Sequence, residues 1–294
     1  MVNVAFVGMG EAGTAIVSGW GKARSFAIRA YDIKTDHPGT APDLWQRYEA
    51  LGIAGCGSLC EALSSADVVF SVVTADQAVA AARSAAPHIE QGAYWCDLNS
   101  VAPSSKRSAA EIVEAAGGRY VDVAVMAPVY PKQNMVPMLV SGQHAREIAP
   151  ILDGMPMAPR VIDGDIGAAS SIKMIRSVMV KGLEALTAEC FLAAAAAGVS
   201  NEVLGSLSAS HKGTDWPRQA SYNFERMIRH GARRAAEMEE VARTLRDLGL
   251  PDGMARATVD WQRRISDLGL AAPEAASDDD PAAMAELVLK EMKA

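Results

Sequence analysis

The chain has no excess of positive charge: 28 Lys and Arg stand against 35 Asp and Glu, a formal net charge of −7 over 294 residues. Binding a phosphate backbone takes clustered Lys and Arg, so no nucleic-acid partner is expected. Long apolar runs are missing too. Half the residues are hydrophobic, yet stretches such as Phe191-Leu192-Ala193 to Ala197 are short and alanine-rich, below the ~20 residues a membrane helix needs, so no membrane partner is expected. Cysteine is scarce. Cys56, Cys60, Cys96 and Cys190 show neither paired C-x-x-C spacing nor a nearby His to complete a zinc set, and no metal site is expected. Cys96 lies in an apolar strand pattern and Cys190 in an alanine-rich helical one, which reads as buried thiols in a reducing compartment. No basic, apolar leader precedes the first strand, and the expected location is the cytoplasm.

What is present is concentrated at the start. Met1 to Val7 is a short apolar strand that runs into Gly8-Met9-Gly10-Glu11-Ala12-Gly13 and then a helix-compatible stretch, Thr14 to Lys22. In a G-x-G-x-x-G loop the first glycine permits the tight turn, the second lets backbone approach a pyrophosphate, and the third lets the helix pack on the strand with its N–H groups facing an anion. Met9, Glu11 and Ala12 belong to the same cofactor-binding loop. A second strand, Ala27 to Tyr31, ends at Asp32, 19 positions after Gly13, where a carboxylate can accept hydrogen bonds from the adenosine ribose. Asp32 favours NAD over NADP, although it also suits the start of a turn, and Lys34 could tolerate a phosphate.

At this length about two domains are expected. The first half alternates strand-like and helix-like segments: helices over Asp43 to Leu51 and Leu59 to Ser64, the latter capped by Ser58, and strands over Val68 to Val73, Tyr94 to Leu98, Tyr120 to Val125 and Met138 to Ser141. Such βα alternation predicts a Rossmann-type, doubly wound parallel sheet. From Gly164 onward helix-period segments take over: Ser170 to Ala197, Asn201 to Ser208, Trp216 to His230, Arg233 to Asp247 and Asp252 to Asp267. The expected architecture is α/β, with a dinucleotide-binding domain over 1–165 and an all-α domain over 166–294. Ala271 to Pro281 reads as a mobile linker before a last helix, Ala282 to Met292.

Three segments, Gly8 to Gly13, Asp97-Leu98-Asn99-Ser100-Val101-Ala102-Pro103 and Gly167-Ala168-Ala169-Ser170-Ser171-Ile172-Lys173, occur in the order and spacing of the β-hydroxyacid dehydrogenases. That family, which contains the 3-hydroxyisobutyrate and 6-phosphogluconate dehydrogenases, resembles this chain over roughly its first two hundred residues. Arg226-Met227, His230, Arg233-Arg234 and Glu237-Met238 look similar to the 6-phosphogluconate-dehydrogenase-like oxidoreductases that end in a helical domain of uncertain function. The resemblance implies an NAD(P)-dependent dehydrogenase in which Lys173, on the long interdomain helix, exchanges the hydroxyl proton. A lysine can do so when burial or neighbouring cations lower its pKa, and Arg176 lies one turn on. The resemblance further implies that Ser100 positions the substrate with Asn99 beside it, that Thr74 runs along the nicotinamide side, and that the protein is a homodimer. Thr74 reads equally well as a turn hydroxyl.

The chain also departs from the family. Ser177 stands where an asparagine is usual and replaces only one hydrogen bond of the amide. Asp122-Val123-Ala124-Val125-Met126-Ala127-Pro128 replaces D-A-P-V-S-G-G, which argues against phosphorylated or small hydroxyacid substrates, and Ala236-Glu237 stand in place of a K-D pair. His230, Arg233 and Arg234 fall within about one turn on a predicted helix, where a bidentate Arg could recognise a carboxylate. They read equally well as a solvated basic face balanced by Glu237, Glu239 and Glu240. Met126, Met135, Met138 and Trp216 suit either an apolar pocket or core. The expected small-molecule substrate thus meets Asn99, Met126, Arg176, Ser177, His230 and Arg234. An imine reductase and a non-catalytic dinucleotide-binding sensor are the alternative readings.

Overall fold

The computed structural model describes residues 2–271 and 280–293; the expected linker over Ala271 to Pro281 falls on 272–279, outside the described residues. Two compact units divide the chain, Met1–Met174 and Ile175–Ala294. The first holds strands β1 (Asn3–Val7), β2 (Ala27–Tyr31), β3 (Ala54–Gly55), β4 (Val68–Ser71), β5 (Tyr94–Asp97), β6 (Arg119–Val125), β7 (Pro137–Ser141) and β8 (Ala158–Val161). They form one eight-stranded sheet in the order β3-β2-β1-β4-β5-β6-β7-β8. Helices α1 (Glu11–Trp20), α2 (Ala41–Leu51), α3 (Leu59–Leu63), α4 (Ala78–Ala85), α5 (Pro103–Ala115) and α6 (Ala145–Gly154) connect them.

Both faces of the sheet are covered, as its nearly continuous apolar strands require. Successive residues alternate between faces: Val4 and Phe6 join Ile28, Val68, Phe70 and Val121 in one core, while Ala5 and Val7 join Val69, Trp95 and Tyr120 in the other. The sheet is not parallel throughout. β7 runs antiparallel to β6, and β8 pairs parallel with β7. The β6–β7 connection, 126–136, contains no helix beyond one short 3-10 turn, Gln133–Met135, so the chain returns beside β6 without the crossover that a parallel pair needs. β8 carries Pro159 on an edge strand, where a missing N–H is tolerated.

The second unit takes up α7 (Ala168–Ala197) from Ile175 onward, then α8 (Ser200–Ser210), α9 (Trp216–Asp247), α10 (Gly253–Ser266) and α11 (Pro281–Met292). Phe191, Phe224, Met227, Ile265 and Val288 are among its core side chains. Beside that core runs a buried polar row on α7: Ser177, Lys181, Glu184 and Thr187. Lys181 pairs with Glu237 at 2.6 Å, Asn223 Nδ2 donates to Thr187 Oγ1 at 2.8 Å, and Glu184 receives both the fork of Arg234 and Gln262 Nε2, the latter at 2.7 Å.

The two helices expected over Trp216 to His230 and Arg233 to Asp247 are one, α9. Gly231 is not a break in it. A Cβ there would stand 2.5 Å from the Gln262 carbonyl oxygen and 2.8 Å from Ser266 Cβ, so the glycine lets α9 and α10 approach closely. Gly231→Ala should therefore lower stability by ~1–3 kcal/mol through overpacking, seen as an earlier denaturation midpoint by far-UV circular dichroism.

Candidate functional site

The glycine-rich loop joins β1 to α1. Gly8 has φ +93°, and a Cβ on it would meet the Val72 carbonyl oxygen at 2.5 Å, so only glycine makes this turn. A Cβ on Gly13 would crowd Gly8 O and Met9 Sδ at 3.1 Å each, which accounts for the tight seating of α1 on β1. Gly10 is different: nothing lies within 4 Å of where its Cβ would be, and no side chain caps α1 there. Its open backbone, at the positive end of a ten-residue helix, fits the pyrophosphate of a dinucleotide.

The loop is braced from β2 and α2. Asp32 Oδ2 accepts the Met9 N–H at 2.8 Å while Oδ1 accepts that of Lys34 at 3.0 Å, so the carboxylate also starts the turn Ile33–Asp36. Arg47 Nη1 donates to the Met9 carbonyl at 2.8 Å. This cation is not legible in the sequence, because only the packing of α2 brings it to the loop.

Gly10, Asp32, Thr74, Ser100 and Met126 follow the ends of β1, β2, β4, β5 and β6, which run in one direction. They therefore share the carboxyl edge of the sheet, where open α/β folds bind ligands. Asn99 is buried and spent on a clamp: its Oδ1 accepts Val73 N–H at 2.7 Å and its Nδ2 donates to Ser71 Oγ at 3.0 Å. It ties the loop that carries Ser100 to the one that carries Thr74. Met126 packs against Ala124, Leu139 and Ala169, an apolar seat for the start of α7. Thr74 precedes a short 3-10 turn and makes no side-chain cap to it.

Beneath this edge lies a buried ion cluster. Asp97 and Asp122 are opposite each other on β5 and β6. The Lys106 ammonium, wholly buried on α5, reaches Asp97 Oδ1 at 3.0 Å and Asp122 Oδ1 at 3.4 Å, and donates to the Asp97 carbonyl at 2.6 Å. One ammonium between two carboxylates leaves a negative excess that hydrogen-bond donors must offset. Tyr120 OH and Asn99 N–H donate to Asp97 at 2.7 and 2.8 Å; burial first, then Asp97 and Asp122, push the Tyr120 phenol well above its usual pKa and keep it a donor. Asp122 Oδ2 accepts from Ser141 Oγ at 3.2 Å, Gly167 N–H at 3.1 Å, Ser170 N–H at 3.1 Å and Ser170 Oγ at 3.2 Å. Asp122 thus caps α7, whose half-buried Lys173 comes three residues after Ser170. Gly167, with φ +107°, supplies the turn into the helix.

Arg176, Ser177, His230 and Arg234 belong to the second unit. Arg176 is exposed, Ser177 is buried and His230 is half-buried. Arg234 is buried and engages Glu184 through its guanidinium fork.

Residues 3–162 match the model of the NAD-binding domain of 6-phosphogluconate dehydrogenase, more than half of the chain. The chain belongs to that family. Residues 194–265 match a domain of unknown function, DUF1932. A conserved hypothetical protein from Sinorhizobium meliloti 1021 is 36% identical, with 99% of this chain and 97% of that one covered, at a TM-score of 0.76. An uncharacterized 28.5 kDa protein of Methanothermus fervidus is 23% identical over 266 residues, 90% of this chain and all of that one. The Mycobacterium tuberculosis 3-hydroxyisobutyrate dehydrogenase, 18% identical over 98% of this chain and 99% of that one, shares the fold at a TM-score of 0.72. The family accounts for the open Gly10 backbone and its flanking glycines: the loop belongs to a nicotinamide-dinucleotide-binding domain. Among the described residues no helix is long and apolar enough to cross a membrane.

Removing the ammonium alone leaves two facing carboxylates buried. Lys106→Met should cost ~3–5 kcal/mol of stability, whereas adding Asp97→Asn and Asp122→Asn to it should recover part of that loss. Denaturant titration of the three-site series reads the difference.

Proposed function

We propose that the chain is an NAD(P)-dependent oxidoreductase that interconverts a β-hydroxyacid-like alcohol and its carbonyl, with Lys173 as general acid and base. The observation that carries this reading is the cap by Asp122: it fixes the helical turn bearing Lys173 to the same sheet whose carboxyl edge presents Gly10, Thr74 and Ser100. The family match over the glycine-rich domain and the dehydrogenase fold of the Mycobacterium tuberculosis neighbour support it.

Gly8 to Gly13 would hold the pyrophosphate, Asp32 the adenosine ribose, and Thr74 the nicotinamide side. A nicotinamide dinucleotide bound there supplies or accepts hydride. Lys173 takes the proton from the substrate hydroxyl oxygen as the carbonyl forms and returns it to that oxygen in reduction. Ser100 hydrogen-bonds the same substrate and holds its reacting carbon toward the crevice. Asp32 disfavours a 2′-phosphate, so NAD is the preferred cofactor; Lys34, two residues on, and Arg47, which reaches the Met9 carbonyl, are cations that would offset that repulsion for NADP. We place the enzyme in the cytoplasm as a homodimer.

Across a panel of β-hydroxyacids, from L-serine and 3-hydroxyisobutyrate to larger apolar ones, the larger ones should turn over best in an assay of NADH formation. Lys173→Ala should lower kcat by ~10²–10⁴-fold with NADH affinity unchanged. Stoichiometric NADH binding with no turnover on any hydroxyacid or imine would instead assign a sensor, and turnover of imines alone an imine reductase; either result defeats the proposal. Calorimetric titration should find NADH bound more tightly than NADPH, and Asp32→Ala should narrow the gap.

A further inference from the structure

The anion site at Gly10 has too little positive charge of its own. The one charged side chain in the loop Gly8–Gly13 is Glu11, exposed at the first position of α1. Asp32 sets a second carboxylate against the Met9 N–H at 2.8 Å, and a bound pyrophosphate brings further negative charge. The N-terminal end of α1 offers the equivalent of roughly half a positive charge, which cannot balance that sum. A counter-charge from outside the loop is required.

Arg47 is placed to supply it. Its Nη1 donates to the Met9 carbonyl at 2.8 Å. That oxygen and the Gly10 nitrogen belong to one peptide group, roughly 2.3 Å apart, so Nη1 lies no more than about 5 Å from the Gly10 nitrogen. A phosphate oxygen accepting the Gly10 N–H at about 2.9 Å stands within about 8 Å of the guanidinium, inside the ~10 Å screening length of 0.1 M salt. The side chain is half-buried on α2, and among the described residues it forms no ion pair, so its charge is not spent on a carboxylate. Lys34 differs: it is exposed, and what it gives to the site is a backbone N–H, donated to Asp32 Oδ1 at 3.0 Å. The hydrogen bond from Arg47 has a second effect. It draws electrons toward the Met9 oxygen and makes the Gly10 N–H, at the other end of the same peptide group, a better donor.

We propose that Arg47 is a cofactor-binding residue, the cation that neutralises the pyrophosphate over Gly10 while it fixes the Met9–Gly10 peptide. The proposal rests on the dinucleotide reading of the loop and adds to it a residue from another element. It is independent of the proton transfer assigned to Lys173, because binding is read without turnover.

Calorimetric titration of the full chain with NADH tests it. Arg47→Ala should weaken NADH by about 10-fold to 30-fold, the size of a unit charge at this range in a medium of intermediate dielectric. Arg47→Lys keeps the charge and should recover most of the loss. Arg47→Gln keeps N–H donors without the charge and should stay close to Arg47→Ala. Raising salt from about 0.05 to about 0.5 M should weaken NADH binding less in the two uncharged variants than in the wild type. Far-UV circular dichroism identifies any variant that fails to fold; if Arg47→Ala does, the comparison of Arg47→Lys with Arg47→Gln carries the test. NADH affinity unchanged in the uncharged variants, or lowered in them with the wild-type salt dependence, would overturn the proposal, the second result reducing Arg47 to a brace. A loss confined to NADPH would also overturn it and move the guanidinium to the 2′-phosphate. A wild-type chain that binds neither dinucleotide would overturn the site itself. A chain that binds NADH through Arg47 yet turns over no substrate supports Arg47 and defeats only the dehydrogenase reading.

Discussion

The Asp122 carboxylate is where the first unit converges. Four donors from Ser141, Gly167 and Ser170 meet one of its oxygens, and the buried Lys106 ammonium stands by the other. Two of those donors are backbone N–H groups at the start of a thirty-residue helix, orphans that need an acceptor when buried. A carboxylate there is also favoured by the helix dipole. The same contact therefore stabilises the sheet's interior charge and sets the position of the helix that leaves it. Lys173, three residues after Ser170, inherits that position.

The carboxyl edge of the sheet shows the same economy. Asn99 holds two loops together, so Thr74 and Ser100 emerge at heights set by hydrogen bonds. Asp32 and Arg47 brace the N–H and the carbonyl of Met9, one in each of its flanking peptide groups, leaving the neighbouring Gly10 backbone open. Rigid support under an open backbone is what binding a large anion requires, since the N–H groups need not be reorganised when the ligand arrives.

The helical unit follows another logic. Its long helix buries ion pairs and hydrogen-bonded polar groups, and each buried charge has a partner: Lys181 has Glu237, and Arg234 and Glu184 have each other. Such pairs add little net stability against apolar packing but penalise any mis-set register, because a slip would strand a charge.

Much of this was legible from residue order alone. Local rules carry the glycine loop: Gly8, Gly10 and Gly13 need no distant partner to dictate a strand, a turn and a helix. The buried strands were readable from their apolar runs, and the resemblance was carried by contiguous motifs. The antiparallel β7, the unbroken α9 and the roles of Asn99, Arg234, Arg47 and Lys106 were not. A lone hint existed in Asp97 and Asp122, acids set in apolar strand runs that demand a counter-charge, but nothing nearby names Lys106. Whether Gly231 breaks a helix or admits a neighbour, and whether Arg234 greets a ligand or Glu184, depends on which residues arrive from far along the chain. Short-range sterics and periodicity settle the elements and the anion-binding turn. Pairing of charges and close approach of backbones are long-range events, and only the packed structure decides them.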